Sequence, residues 1–415
     1  MAPNLEPGAL PVRSSGVLSI LLVTVLAASP HQPLANPGRA WEPMRDPETQ
    51  GYPLVGLSAL RKTLAAGQTT GMMVVVGGRV LFEYGDTTET SYVASVRKSL
   101  ISMLYGKQVA SGAIPLDATL DELGIDDTGG LLPRERQATV GDLLTARSGV
   151  YHPAANLGDA SDRAPARGSV APGTYFLYNN WDFNALGAIL ERRTGKTVYA
   201  LFESGIARPI DMQDWIADPA TQASMVRNDT GLSAHPAHHF VLSTRDMARI
   251  GQLMLRRGRW DGTQVIPADW VMRTTLTTTP AETVARTSPW VPGLGYGFLW
   301  WTFDSAPPET PLHGAYTASG AFGQFITVIP VLDMVVAHKT ALPPPRNVPA
   351  ETYFGTILPQ VTALRVEKQP RGGEPSRPRR GRPRFIRRAA SCPSLPSAGR
   401  RGAHAFMRGS LAHFP

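Results

Sequence analysis

The chain has 415 residues, long enough for one large domain or two smaller ones with a substantial buried core. Hydrophobic residues at 42% and charged residues at 18% exclude a disordered or fibrous class, and 40 Gly with 37 Pro point to many turns. Residues 365–415 carry a net +11 and the rest of the chain −3, so the total of +8 is no argument that the folded part binds nucleic acid.

The N-terminus carries Arg13 followed by an apolar run from Val17 to Ala28. That run is too short to cross a bilayer comfortably and fits the apolar region of a secretory signal, with Ala27, Ala28 and Ser29 as small cleavage residues. Residues 1–29 are therefore expected to be a signal peptide. The chain is expected to be exported, periplasmic or secreted, with no stable membrane insertion after cleavage. Residues 30–50, with Pro30, Pro33, Pro37 and Pro43, read as an extended linker. The sole cysteine, Cys392, lies near the C-terminus, so neither an intrachain disulfide nor a cysteine metal site is available.

Val55 to Ala66 has helical periodicity. Two apolar runs, 71–76 and 79–85, flank Gly77-Gly78 and predict a hairpin. Ser95 to Ser111 reads as a helix stopped by Gly112. The stretch 115–240 reads as helical and loop-rich, with a clear helix over 185–193. Another helix is predicted over 244–257, with Ser243-Thr244 capping it and Arg245-Asp246 as a structural ion pair. Strand character returns over 295–301, 322–329 and 334–338, and 349–364 reads as a final helix. This order predicts an α/β (α+β) fold over 51–365: a split antiparallel sheet, helices at both ends, and a helical insertion over about 100–245. Beyond 365 the Arg/Pro-rich tail, 366–415, loses periodicity and is expected to be disordered.

The sharpest local feature is Ser95-Val96-Arg97-Lys98. Positions i and i+3 share a helix face, so the hydroxyl and the amine can meet. A serine hydroxyl needs a neighbouring base, and a lysine serves if burial and nearby positive charge keep it neutral. At a helix start, the dipole also favours negative charge developing on the serine. Further along come Thr139-Val140-Gly141-Asp142-Leu143-Leu144-Thr145 and then Tyr178-Asn179-Asn180.

Together these segments resemble the serine β-lactamase/penicillin-binding superfamily, in its class C-like branch with esterases, D-amino-peptidases and 6-aminohexanoate-dimer hydrolases. The resemblance covers roughly residues 50–365. It implies a β-lactamase/transpeptidase-like fold and a serine hydrolase with Ser95 as nucleophile and Lys98 and Tyr178 as proton carriers. It also implies that Asn180 bonds Lys98 and the substrate. The family's third motif aligns with Ala318-Ser319-Gly320 but lacks its usual basic residue, which favours a neutral ester or amide over a β-lactam. The implied oxyanion donors are the backbone N–H groups of Ser95 and Ala321. Ser319 and Gly320 are candidate substrate-side residues, and so are Tyr151, Trp181 and Trp301, for each of which plain core packing is an equal reading. No cofactor is implied, and His235, His238 and His239 do not match a metal-ligand pattern. A β-lactamase, a D-amino-acid peptidase, a non-catalytic recognition protein of the same fold and, on the strength of the tail alone, a nucleic-acid binder stand as alternatives. The expected partner is a small ester, amide or peptide substrate, and the oligomeric state is open.

Overall fold

The computed structural model describes residues 36–156, 158–216, 226–289, 293–341 and 346–365. The expected signal peptide and tail lie outside these residues.

Seven strands form one antiparallel sheet: β1 (Gly71–Val76), β2 (Arg79–Gly85), β3 (Gly295–Tyr296), β4 (Trp301–Thr302), β5 (Tyr316–Gly320), β6 (Gln324–Ile329) and β7 (Met334–Lys339). Their order is β2-β1-β7-β6-β5-β4-β3. The N-terminal hairpin therefore sits beside the last strand, with Gly71 opposite Lys339 and Val76 opposite Met334. β6 and β7 are buried at every position and β1 at nearly every position. That explains why they read as continuous apolar runs rather than alternating ones. The hairpin turn at Gly77-Gly78 has φ of 58° and 78°, a left-handed pair that glycine adopts without steric cost.

The stretch expected to be a linker is partly attached to the sheet. Val80 N–H donates to Glu42 O and Met44 N–H to Val80 O. Residues 42–44 thus cover the free edge of β2, whose backbone groups would otherwise lack partners.

Helix α1 (Leu54–Ala65) packs against the C-terminal helical segments Tyr353–Ile357 and Leu358–Thr362. Helix α2 (Val96–Ala110) is buried at every position from Val96 to Gly106, wedged between β5 and helix α4 (Asn180–Thr194). A short helix α3 (Val140–Leu144) starts with a capping box between Thr139 and Asp142. The helical insertion is closed at its neck by a two-residue pairing, Ser91 with Leu242 and Tyr92 with Val241. Helix α5 (Thr244–Leu255) lies across β7, β6 and β1. Its N-cap Ser243 accepts the Asp246 N–H as expected, but Arg245 pairs with Asp214 rather than with its neighbour Asp246.

Three departures from the sequence reading have local causes. Residues 295–301 form two short strands rather than one, because Gly297 N–H turns back onto Trp300 O and Leu299 takes φ of 63°. Helix α4 begins five residues before the apolar pattern does, since Asn179 caps it and Asp182 and Asn184 are buried polar groups that hide its period. The helices Ala268–Thr275 and Ala281–Thr287 lie where no element was expected.

Gly251 lets α5 sit directly on the sheet: a Cβ there would lie 2.4 Å from Val335 Cγ1 and 3.0 Å from Ile326 Cγ2. Gly251→Ala is expected to lower stability by about 1–3 kcal/mol through overpacking. Adding Val335→Ala should recover part of that loss. Urea unfolding of the single and double variants checks both.

Candidate active site

The turn into α2 is strained. Ala94, the residue before Ser95, has φ of 47°, in the left-handed region that residues with a Cβ rarely occupy. Ser95 follows at the N-cap position of α2. Its side chain makes no capping bond, although serine at this position usually caps the helix. Its Oγ lies 2.9 Å from Lys98 Nζ instead. Lys98 Nζ is in turn 2.8 Å from the Tyr178 hydroxyl. The alcohol, the amine and the phenol thus meet at one point, brought together from α2 and from the loop before α4.

Lys98 is 2% exposed and Tyr178 5% exposed, while Ser95 is half-buried. Burial pushes the Lys98 amine well below the ordinary lysine range; the Arg97 charge pushes the same way and Asp159 opposes. Burial pushes the Tyr178 phenol upward, against smaller pulls from its hydrogen bond with Ser95 and from Arg97. Desolvation penalises the charged form of each group. The amine is therefore left as a base and the phenol as an acid. Lys98 Nζ also sits 4.2 Å from the Tyr178 ring centroid and 4.8 Å from that of Phe183, faces that attract a cation when the amine takes up a proton.

Tyr178 is held from several sides. Its ring packs 5.3 Å from Trp301, 6.1 Å from Tyr296 and 5.0 Å from Phe183. The loop before it is tied to residues 146–150: Leu177 N–H donates to Ala146 O, and Asn179 Nδ2 donates to Val150 O at 2.6 Å. Ser148 Oγ donates to the buried Asp182 carboxylate at 2.5 Å, on the first turn of α4.

The end of β5 presses against the start of α2. A Cβ on Gly320 would lie 2.6 Å from Val93 O and 3.0 Å from Ser95 N, so only glycine fits. This contact puts the chain at 320–321 beside the Ser95 amide. Among the described residues, no loop backbone bond takes the N–H of Ser95 or of Ala321. The turn that follows is braced from behind. His338 Nδ1–H donates to Gly323 O at 2.8 Å, Thr69 Oγ1–H donates to His338 Nε2 at 2.9 Å, and Thr340 Oγ1–H donates to Phe322 O. Burial pushes His338 down to about 4, so its ring keeps this neutral tautomer through the neutral range. Phe322 has φ of 67° and is 43% exposed on the same turn.

The other candidate residues are placed differently. Asn180 is the first residue of α4 rather than part of an extended loop. Its N–H donates to Asp159 Oδ2 at 2.7 Å and its Nδ2 to Asn156 O at 3.4 Å, while Lys98 bonds Ser95 and Tyr178. The expected Asn180–Lys98 bond is thus replaced, because the helix start turns the amide toward the 156–159 loop. Trp181 is fully buried and its indole N–H donates to Asp127 at 2.6 Å, which corrects its reading as a pocket wall. Trp301 is a buried support for Tyr178. Tyr151 is half-buried, and its hydroxyl has no partner among the described residues. Ser319 is half-buried on β5. His238 bonds Glu191, and the His239 ring packs edge-on to Tyr92. A cavity of about 580 Å³ lined by Arg45, Tyr52, Arg79 and Arg365 contains none of the three site residues.

The sequence reading missed Arg97, Asn184 and Asn156. Arg97 is 1% exposed and donates to Asn184 Oδ1 at 2.8 Å; Asn184 Nδ2 donates to Asn156 Oδ1 at 2.9 Å. Only the position of Arg97 next to Lys98 could have flagged it.

The fold has many relatives among solved structures. One assigned as a 6-aminohexanoate-dimer hydrolase from Bacillus anthracis superposes with a TM-score of 0.54 at 20% identity, over 73% of this chain and 81% of that one. EstCE1, a hydrolase with promiscuous acyltransferase activity, gives 0.54 at 16% identity, over 75% and 97%. A penicillin-binding protein from Bacillus halodurans gives 0.52 at 15% identity, over 72% and 98%. At these identities the likeness establishes the β-lactamase/transpeptidase-like fold. No curated protein sequence matches the chain. The beta-lactamase family model, however, matches residues 58–354, well over half of the sequence. The chain belongs to the beta-lactamase family of serine hydrolases.

Proposed function

We propose that this protein hydrolyses an ester or amide through an acyl-enzyme on Ser95, with Lys98 as the base and Tyr178 as the proton donor to the leaving group. The observation that carries this reading is the position of a dehydrated Lys98 amine 2.9 Å from Ser95 Oγ and 2.8 Å from Tyr178 OH. In acylation Ser95 Oγ bonds the carbonyl carbon and its proton passes to Lys98. The carbonyl oxygen gains negative charge, for which we propose the Ser95 and Ala321 N–H groups and the α2 dipole as the stabilising donors. The bond to the leaving group then breaks as Tyr178 gives that group a proton and takes one from Lys98. Water reverses the sequence, and the acid is released.

Three features support a neutral acyl substrate. The position that would carry a basic residue beside the carbonyl site is Ala318, fully buried on β5. The side chain next to it, Ser319, is uncharged and half-buried. Phe322 offers an exposed apolar surface on the turn beside Ala321. A small ester or linear amide matches these features better than a substrate with a carboxylate to be clamped. We further propose that the protein works outside the cytoplasm, on the strength of the 17–28 apolar run. Among the described residues no helix is long and apolar enough to cross a membrane.

A fluorophosphonate probe should label the full chain on a peptide containing Ser95, and Ser95→Ala should abolish labelling. A modified residue elsewhere overturns the reading. A screen with a p-nitrophenyl ester, a chromogenic β-lactam and an aminohexanoate dimer should rank the ester or amide above the β-lactam. Tyr178→Phe should lower turnover by about 10²–10⁴-fold while leaving Ser95 labelled. The acid limb of the rate profile should fall well below the ordinary lysine range, because activity rises as Lys98 loses its proton and burial has moved that loss to lower pH.

A further inference from the structure

We propose that Arg97 is a positioning residue for Lys98 that acts by its charge rather than by contact, and that Asn184 and Asn156 stand where a carboxylate would have cancelled that charge. This rests on the Ser95–Lys98–Tyr178 reading and extends it.

Arg97 is almost completely buried, and burying a cation without a counter-ion is costly. The fully buried Arg249 donates to the backbone carbonyls of Ile210, Gly38 and Arg39, and three other arginines that are partly or largely buried have carboxylate partners: Arg167 with Glu135, Arg245 with Asp214 and Arg256 with Asp333. Among the described residues Arg97 has none. Its Nη2 donates to the neutral amide of Asn184, and its Nη1 has no partner. Asn184 passes on to Asn156, another amide. A guanidinium does not shed its proton, so its charge persists across the working pH range. Adjacent helix positions do not face each other, so Arg97 does not bond Lys98. It acts through space, in a region where little water screens it.

The groups around the pair leave this charge largely unopposed. Tyr178 faces both residues, and Tyr92 and Tyr199 face Arg97; burial raises all three phenols and keeps them neutral. His239 is pushed down to about 3 by burial first and then by the Arg97 charge, and so carries no charge at neutral pH. Phe183 presents a ring face to the amine. The carboxylate that works against Arg97 is Asp159, half-buried and occupied by the N–H groups of Asn180 and Ser161.

The test is the rate of fluorophosphonate labelling of the full chain against pH. In that step Ser95 Oγ bonds phosphorus, fluoride leaves, and the serine proton passes through Lys98 to solvent. Arg97→Gln should move the acid limb up by about one pH unit or more, with labelling restored at alkaline pH. Arg97→Lys, which keeps the charge, should leave the limb near its original place. Asn184→Asp keeps Arg97 but supplies a carboxylate to it, and should raise the limb as Arg97→Gln does. Asp159→Asn should move it the opposite way. Should Arg97→Gln fail to fold, Asn184→Asp decides. A limb unmoved in Asn184→Asp, or in a folded Arg97→Gln, overturns the inference and leaves Arg97 as packing. Absence of labelling on Ser95 in the parent chain overturns this inference and the underlying reading together.

Discussion

One buried amine organises this molecule. Lys98 sits on the stretch of α2 that is buried from Val96 to Gly106, and its nitrogen meets a serine hydroxyl, a tyrosine hydroxyl and two aromatic faces. Burial of a lysine pushes its amine toward the free base, since the ammonium form would lose its hydration. Much of the surrounding architecture follows from building that site. α2 is wedged between the sheet and the inserted helices, so that Lys98, the proposed base, is enclosed and Ser95, the proposed nucleophile, is half-buried beside it. The 146–150 loop and the start of α4 are cross-tied so that the Tyr178 hydroxyl stays within reach.

Backbone strain and a close contact both occur at this site. Ala94 and Phe322, both with positive φ, bracket the nucleophile and the turn that faces it. Gly320 permits the backbone of β5 to reach the Ser95 amide, and His338 and Thr340 brace the following turn from the last strand. The N-terminal hairpin pairs with that same last strand, so residues distant in sequence share responsibility for the geometry around one carbonyl site.

Much of this was legible in the sequence where local rules govern. The Gly77-Gly78 hairpin, α1, α2 and the capped start of α5 follow from turn chemistry and apolar period. The spacing of Ser95 and Lys98 on one helix face follows from helix geometry. What was not legible depends on long-range partners. The start of α4 was hidden because its first turn buries polar residues, whose partners, Asp127, Asn156 and Ser148, lie far away in sequence. The same blindness left Trp181 open between pocket wall and core, which its full burial and its bond to Asp127 decide for the core. It misread Asn180, whose direction is set by where α4 begins. Arg97 gave no signal beyond its place next to Lys98, because its burial and its amide partner depend on Asn184, far along the chain.

The central claim is that Lys98 is a neutral amine at working pH. The chain has six lysines, so ¹⁵N-lysine side-chain NMR can follow it, with Lys98→Met for assignment and Lys339, pushed by burial down to about 8, as an internal comparison. The account predicts a Lys98 nitrogen already in the free-amine range at pH 7, titrating well before the exposed lysines. An ammonium signal for Lys98 that persists beyond pH 9 would contradict it.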